Sequence, residues 1–399
     1  MQLTELFINK NKSSGVHPHG NKIAKDKEIE KLILPKEVTI PLAQHIGAPA
    51  ESLVKKGDEV KAGQKIAEIR GFCSANIHAT ISGKVKNIVK QVSSVTSGVV
   101  DAIVIESDDK DEWIKLQPVS DPAKLTKDEI IEKVKEAGIV GMGGATFPTH
   151  IKLNPPANKK IDTIIVNGCE CEPFITSDHR LMLENGEEII KGLELMMKAV
   201  GCNKAYIGIE DNKPDAIKGM RKVVTKLKPA GLVLIEPLEQ RYPMGAEKTL
   251  LKRILGREVP IGGLPMDVGV VVQNVATLKA IYDAIYLGKP LVERVVTITG
   301  EVNEPKNIMV RFGTSARDII DVCGGAKPDA DVMIFGGPMM GIAQTSFNVP
   351  VQKGTNCILL QKNVKKPESD CIRCGSCVET CPMNLMPTMY VALVKKNMY

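Results

Sequence analysis

The residues best suited to chemistry are four cysteines near the end of the sequence, in Cys371-Ile372-Arg373-Cys374-Gly375-Ser376-Cys377-Val378-Glu379-Thr380-Cys381-Pro382. Read as C-x2-C-x2-C-x3-C-P, this is the spacing that holds a [4Fe–4S] cluster. Three thiolates two residues apart can wrap one cube of iron and sulfide, and Gly375 permits the backbone turn that a Cβ would resist. The proline directs Cys381 away from that cube, and in chains with two cubes the fourth cysteine of such a run ligates the other one. Structural zinc usually takes paired C-x2-C knuckles, so zinc fits this run poorly. A two-cluster module needs a second copy of the run, and none occurs before Tyr399. Either residues beyond Tyr399 supply it, which the connecting helix read over 385–397 favours, or a single cluster recruits a remote ligand, Cys357 being the nearest candidate.

Composition narrows what surrounds this centre. The 399 residues are 43% hydrophobic and 25% charged, with ten cysteines, a formal charge of +6 and 4% aromatics. That length argues for two to four domains. No run of 18 apolar residues occurs, and MQLTELFINKNKSSG lacks the apolar core and cleavage site of a secretory signal. Without export, ten cysteines point to metal or redox chemistry in place of a disulfide framework. Lysines interleave with acids, and aromatics for stacking on bases are few, so a nucleic-acid role is disfavoured. Cys73, Cys202 and Cys323 lie in apolar contexts and read as core thiols.

These residues must be positioned by several modules. Residues 1–31 read as a polar arm in which His17-Pro18-His19-Gly20 is a surface segment in preference to a metal site. From 32 to 120, short β-branched runs broken by Gly and Pro predict an all-β module. Its order VKKGDEVKAGQKIAEI…ISGKVKNI resembles the barrel-sandwich of biotinyl and lipoyl carriers, yet 71–83 holds no lysine to carry a prosthetic group, so a structural use is expected. Thr126…Glu129 predicts a capped helix ending at Gly138. The glycine cluster GMGGATFP (141–148) follows a helix and lacks the third glycine of G-x-G-x-x-G. It reads either as a plain loop or as backbone able to approach a phosphate or flat ring, with Lys152 close by.

Apolar strands at 161–166, 205–209, 232–235 and 268–272, each ending in Asn, Glu or Gln, alternate with helices at 182–200, 214–227, 246–255 and 276–286. That alternation predicts a parallel α/β sheet over 121–290, with its ligand site at the carboxyl ends of the strands. Residues 291–355 read as a small β-grasp with one helix, and 356–399 as the start of a ferredoxin-like module.

Four motifs in register carry a family resemblance across essentially the whole chain: GMGGATFPTHIKL (141–153), NGCECEPFITSDHRLM (167–182), YPMGAEKTLL (242–251) and QNVATL (273–278). Together they resemble the RnfC component of the Rnf ion-translocating electron-transport complex and, more distantly, the flavoprotein subunit of respiratory complex I. The resemblance implies a carrier-like barrel-sandwich, a Rossmann-like FMN domain, a soluble-ligand-binding β-grasp and an iron–sulfur module. It implies FMN, NAD(H) and [4Fe–4S] clusters as cofactors, two clusters in the full-length protein, and Rnf-type membrane and iron–sulfur subunits as partners, with ferredoxin reached indirectly. The chain is then expected as a peripheral subunit on the cytoplasmic face of the cell membrane.

Residue by residue, the resemblance places Gly141, Gly143 and Gly144 against the flavin and Lys152 near its phosphate. Asn167 and Glu170 face the isoalloxazine and ribityl side, Gly245 and Glu247 the nicotinamide, and Asn274 and Thr277 bind the FMN phosphate. The cluster ligands are Cys371, Cys374, Cys377 and Cys381, and no acid–base residue is catalytic. Cys169 and Ala246 depart from the complex I pattern, which has acids there, and agree with the Rnf branch. A soluble cobalamin reductase of the propanediol-utilisation type shares the domain order, and a non-enzymatic electron wire would keep the cluster run without binding nicotinamide.

Overall fold

The computed structural model describes residues 15–92, 98–363 and 369–398. A first strand, β1 (Ile29–Lys31), belongs to a sheet completed more than three hundred residues later. The barrel-sandwich follows as β2 (Glu37–Pro41), β3 (Glu51–Ser52), β4 (Glu59–Val60), β5 (Lys65–Glu68), β6 (Ile77–His78), β7 (Gly83–Val92) and β8 (Val99–Ser107). Two sheets, ordered β2-β8-β7-β4 and β3-β5-β6, face each other across Val38, Ile40, Ile66, Ile77, Ile81 and Ile103. β-branched side chains on alternating strand positions build that apolar interior. Cys73 is half-buried in the β5–β6 connection beside an exposed Phe72, so the expectation of a core thiol fails there: the turn carries it outward. Cys202 and Cys323 are buried as expected.

Helix α1 (Lys127–Glu136) starts where the sequence places it. Thr126 Oγ1 accepts from Glu129 N while the Glu129 carboxylate accepts from Thr126 N at 2.7 Å, the reciprocal box that satisfies two orphan amides. After α2 (Thr149–Lys152) come β9 (Thr163–Asn167), α3 (Ser177–Glu184), α4 (Gly186–Val200), β10 (Lys204–Glu210), α5 (Pro214–Leu227), β11 (Leu232–Leu238), α6 (Glu247–Leu255), β12 (Val270–Asn274) and α7 (Val275–Tyr286). The helix expected over 182–200 is therefore two helices, broken at Asn185. All four strands run parallel in the order β11-β10-β9-β12. The chain steps outward from β9 to β11 and then returns to lay β12 on the other side of β9. Side by side, β9 and β12 leave in opposite directions, and a crevice opens at their carboxyl ends.

The last sheet has six strands, β1-β14-β13-β17-β15-β16, built from β13 (Glu293–Gly300), β14 (Lys306–Arg311), β15 (Val332–Phe335), β16 (Ile342–Gln344) and β17 (Cys357–Gln361), with α8 (Ala316–Val322) alongside in sequence. Two expected boundaries move. The arm contributes β1 to the sheet edge, and the sheet runs past 355 because β17 lies inside it, parallel to β13 and antiparallel to β15. One apolar core runs continuously from Leu125 to Leu360, so this sheet and the parallel one fold against each other. The chain ends in α9 (Ser376–Thr380) and α10 (Pro387–Lys395).

Candidate functional site

Asn167 and Asn274 are the last residues of β9 and β12 and are direct partners in the ladder. Their side chains are already engaged. Asn167 Nδ2 donates to Gly245 O at 2.8 Å, which fixes the loop entering α6. Asn274 Oδ1 accepts from Ala276 N at 2.8 Å, capping α7, and its Nδ2 donates to Asp178 Oδ2 at 2.6 Å. Above them lies the glycine loop. Met142 N donates to Thr277 Oγ1 at 2.9 Å, and Arg294 donates to Met142 O at 3.1 Å, so the loop is pinned from α7 and from β13. Gly143, Gly144 and Ala145 are exposed. A Cβ on Gly143 would lie 2.8 Å from Asn274 Cβ, whereas one on Gly144, at φ +149°, would meet nothing within 4 Å. The neighbouring Thr146 is 1% exposed, and its hydroxyl has no partner among the described residues.

The structure thus brings Gly141, Gly143, Gly144, Asn167, Gly245, Asn274 and Thr277 together. Lys152 joins them, its ammonium 3.3 Å from Glu247 and donating to Val272 O at 3.1 Å. Two expected contacts are re-routed. Thr277 is fully buried and its hydroxyl holds the glycine loop, so its side chain is not free for a phosphate. The Glu170 carboxylate turns back and accepts from Asp178 N at 2.7 Å and His179 N at 3.3 Å, neutralising the first amides of α3. An orphaned buried hydroxyl, an open glycine face and exposed loop amides at a topological switch point suit a flat cofactor with a phosphate tail.

Behind the loop of 168–176 lies a buried charge network that the sequence did not announce. Lys22, from the arm, donates to Glu170 O and Glu172 O at 2.9 Å each and to Ile175 O at 2.6 Å; burial pulls its ammonium down to about 8. Lys213 donates to Cys169 O at 2.7 Å and Glu210 at 3.1 Å. Asp178 is raised well above the usual carboxylate range by burial, then by the Glu170 charge. Arg294, buried beneath the glycine loop, is lowered to about 10 by the same desolvation. Cys171 Sγ accepts from Gly245 N at 3.3 Å, and burial pushes its thiol up to about 11, so it stays a neutral contact. The arm also reaches the cluster module, where Gly15 N donates to Thr380 O at 2.8 Å. His17 and His19 are exposed, as expected of a surface segment.

In the cysteine run, Cys371, Cys374 and Cys377 are exposed and Cys381 is half-buried. Arg373 and Gly375 both adopt positive φ, so the backbone curls around the segment. Backbone amides of Arg373 and Leu385 donate to Cys371 Sγ and Cys381 Sγ at 3.4 Å, and the Ser376 contact holds the Cys374 thiol below its ordinary value. Accessible thiols in a curled loop, already accepting amide hydrogens, are a donor set that suits an iron–sulfur cluster. Among the described residues no three metal-ligating side chains are drawn into a closed shell. Cys357, the alternative remote ligand, is fully buried in the central strand β17, where burial drives its thiol strongly upward, which does not suit that role.

Comparison with known proteins gives four family matches along the chain: the RnfC Barrel sandwich hybrid domain over 10–110, the Nuo51 FMN-binding domain over 134–283, the SLBB domain over 295–343 and a 4Fe-4S binding domain over 364–385. The C subunit of a proton-translocating ferredoxin:NAD(+) oxidoreductase complex from Clostridium ljungdahlii is 50% identical over 391 residues, 96% of this chain and 84% of that protein. The C subunit of the Na(+)-translocating complex from Acetobacterium woodii is 44% identical, covering 92% and 83%. Among solved structures, an NAD+-reducing [NiFe]-hydrogenase in the H2-reduced state aligns with a TM-score of 0.51 at 20% identity, over 62% of this chain and 49% of that one. That likeness bears on the fold alone.

Proposed function

Because the chain belongs to the RnfC family of ion-translocating ferredoxin:NAD(+) oxidoreductase complexes, we propose that it exchanges electrons between NAD(H) and iron–sulfur centres as a peripheral subunit of such a complex. The observation that carries this reading is the union, in one chain, of a strand-end crevice under an exposed glycine loop with a cysteine run of [4Fe–4S] spacing. Bound FMN supplies two-electron exchange with a nicotinamide and one-electron exchange with a cluster, which a chain with no catalytic acid or base needs.

The residues divide the work of holding that cofactor. Gly143, Gly144 and Ala145 offer backbone and clearance for a flat ring, while Thr146 offers an unused hydroxyl. Asn274 caps α7 and braces Gly143 from below, and Asn167 ties β9 to Gly245. Lys152 and Glu247, paired at 3.3 Å at the crevice, would meet phosphate and nicotinamide respectively. Glu170 acts through its backbone, since its carboxylate serves α3. Cys371, Cys374 and Cys377 would hold one cube and Cys381 another.

The strand order of the parallel sheet supports a Rossmann-like reading of 121–290, and the mixed sheet with one helix supports a β-grasp, extended here to 361. Among the described residues no helix is long and apolar enough to cross a membrane, which suits attachment through partner subunits at the cytoplasmic face. Release from membranes by salt or chelator would support that placement, and a need for detergent would count against it. Relatives matching over nine-tenths of the chain do not favour the cobalamin reductase or the passive wire. The decisive test is anaerobic addition of NADH to FMN-loaded protein. Near-stoichiometric bleaching of the flavin band is expected; a flavin that binds but is not bleached would leave only the wire.

A further inference from the structure

A second cavity, lined by none of the residues gathered at the strand-end crevice, has the character of a binding site. It holds about 450 Å³ and lies where the barrel-sandwich meets the outer end of α1 and the turn after α7. That volume falls in the range of small-molecule pockets. His78 of β6 lines it and is 6% exposed, yet its Nδ1 has no hydrogen-bond partner among the described residues. Burial, then the Lys353 charge, hold this imidazole neutral. Nδ1 is therefore a buried polar atom awaiting a partner, and such a group left unmet costs about 1–3 kcal/mol.

The charges around the cavity are unbalanced. Lys65 is paired with Glu136 at 2.7 Å, Glu132 with Lys135 at 3.2 Å, and Lys289 with Glu293. Lys115 and Lys133 also line the cavity, and neither ammonium has an ion pair or hydrogen bond among the described residues. Two cations outside any direct ion pair, beside a neutral buried imidazole nitrogen with no partner among the described residues, suit a small dianion that also carries a hydroxyl.

We propose that this cavity binds a small phosphorylated alcohol, its phosphate between Lys115 and Lys133 and its hydroxyl hydrogen-bonded to His78 Nδ1. The site owes nothing to the flavin crevice, although Ala137 on its wall lies only four residues before the glycine loop begins.

The test is calorimetric titration of FMN-saturated protein, so that the flavin phosphate site is filled, with glycerol 3-phosphate and separately with inorganic phosphate. Saturable one-to-one binding of glycerol 3-phosphate is expected. The double variant Lys115→Gln/Lys133→Gln should weaken it at least tenfold, while Lys218→Gln, on the exposed face of α5, should leave it unchanged. Flavin content should stay constant in all three proteins, which separates this site from the flavin site. Absence of saturable binding, or binding that survives in the double variant, would overturn the proposal. Inorganic phosphate binding as tightly as glycerol 3-phosphate would overturn the role given to His78.

Discussion

Replacing Gly144 by alanine separates the cost to the protein from the cost to its cofactor. At φ +149° the backbone occupies a region that side chains resist, so Gly144→Ala should destabilise the chain by about 1–3 kcal/mol. Nothing within 4 Å meets the new methyl, so no packing penalty adds to that figure. If the flavin lies on this loop, however, the methyl projects into its space. Overpacking a fitted apolar contact costs about 1–3 kcal/mol, equivalent to roughly five- to 150-fold weaker FMN binding. Gly256→Ala is the control: it too has positive φ (+69°) and open surroundings, but at the far end of α6. Quenching of FMN fluorescence gives the dissociation constants, and thermal unfolding of the flavin-free proteins gives the backbone cost. Both variants should unfold earlier than wild type, and only Gly144→Ala should lose flavin. A Gly144→Ala protein that binds FMN within twofold of wild type would remove the glycine loop from the site.

Gly143→Ala should behave differently, because its methyl would press on Asn274 at 2.8 Å; loss of the α7 cap should cost about 1 kcal/mol even without flavin, read by thermal unfolding. Cys371→Ser, Cys374→Ser or Cys377→Ser should each cut iron and acid-labile sulfide in anaerobically purified protein, while Cys357→Ser should leave both unchanged; iron loss in the latter would restore it as a ligand. Lys353 is fully buried, its ammonium held among the described residues only by Asn76 O and Gly138 O, and desolvation lowers it to about 7. The unfolded chain thus binds the extra proton between about pH 7 and 10.5, so wild-type stability should rise across that window relative to Lys353→Met, and parallel pH profiles of the two would contradict the assignment. Lys22→Met should weaken FMN binding at least tenfold with partial rescue by Lys22→Arg; unchanged affinity in Lys22→Met would show that the arm does not brace the site.

What could be read in the sequence was local or periodic. Thr126 and Glu129 signal α1 because both partners lie within one turn, and the apolar strands ending in Asn167 and Asn274 announce a parallel sheet with polar strand ends. That these two asparagines would be adjacent follows only from the strand order, which no short window contains. Cys357 shows the same limit: its nearness in sequence makes it a fair ligand, yet its place between β13 and β15 is set by residues up to sixty positions away. Lys22 sits in a polar segment that resembles any solvated arm, and its burial depends on carbonyls about 150 residues downstream. Asp178 and Arg294 are equally hidden, since a buried charge leaves no periodic trace.

That hidden network explains how the loop after β9 can face a cofactor at all. The Cys169 carbonyl is drawn inward by Lys213 and the Glu170 and Glu172 carbonyls by Lys22. In a trans peptide the carbonyl and the following N–H point in opposite directions. Turning the carbonyls of Cys169 and Glu170 toward the lysines therefore turns the amides of Glu170 and Cys171 away from them, and neither amide has a partner among the described residues. Two adjacent free amides beside Gly245 and Asn167 form a donor pair set before any ligand arrives, so binding need not meet the cost of ordering them. The desolvation of Lys22, which lowers its ammonium to about 8, is the energetic counterpart of that preorganisation. An acid in place of the arm lysine would reverse the pull on the carbonyls and dismantle the donor pair, while leaving every residue of the four recognisable motifs intact.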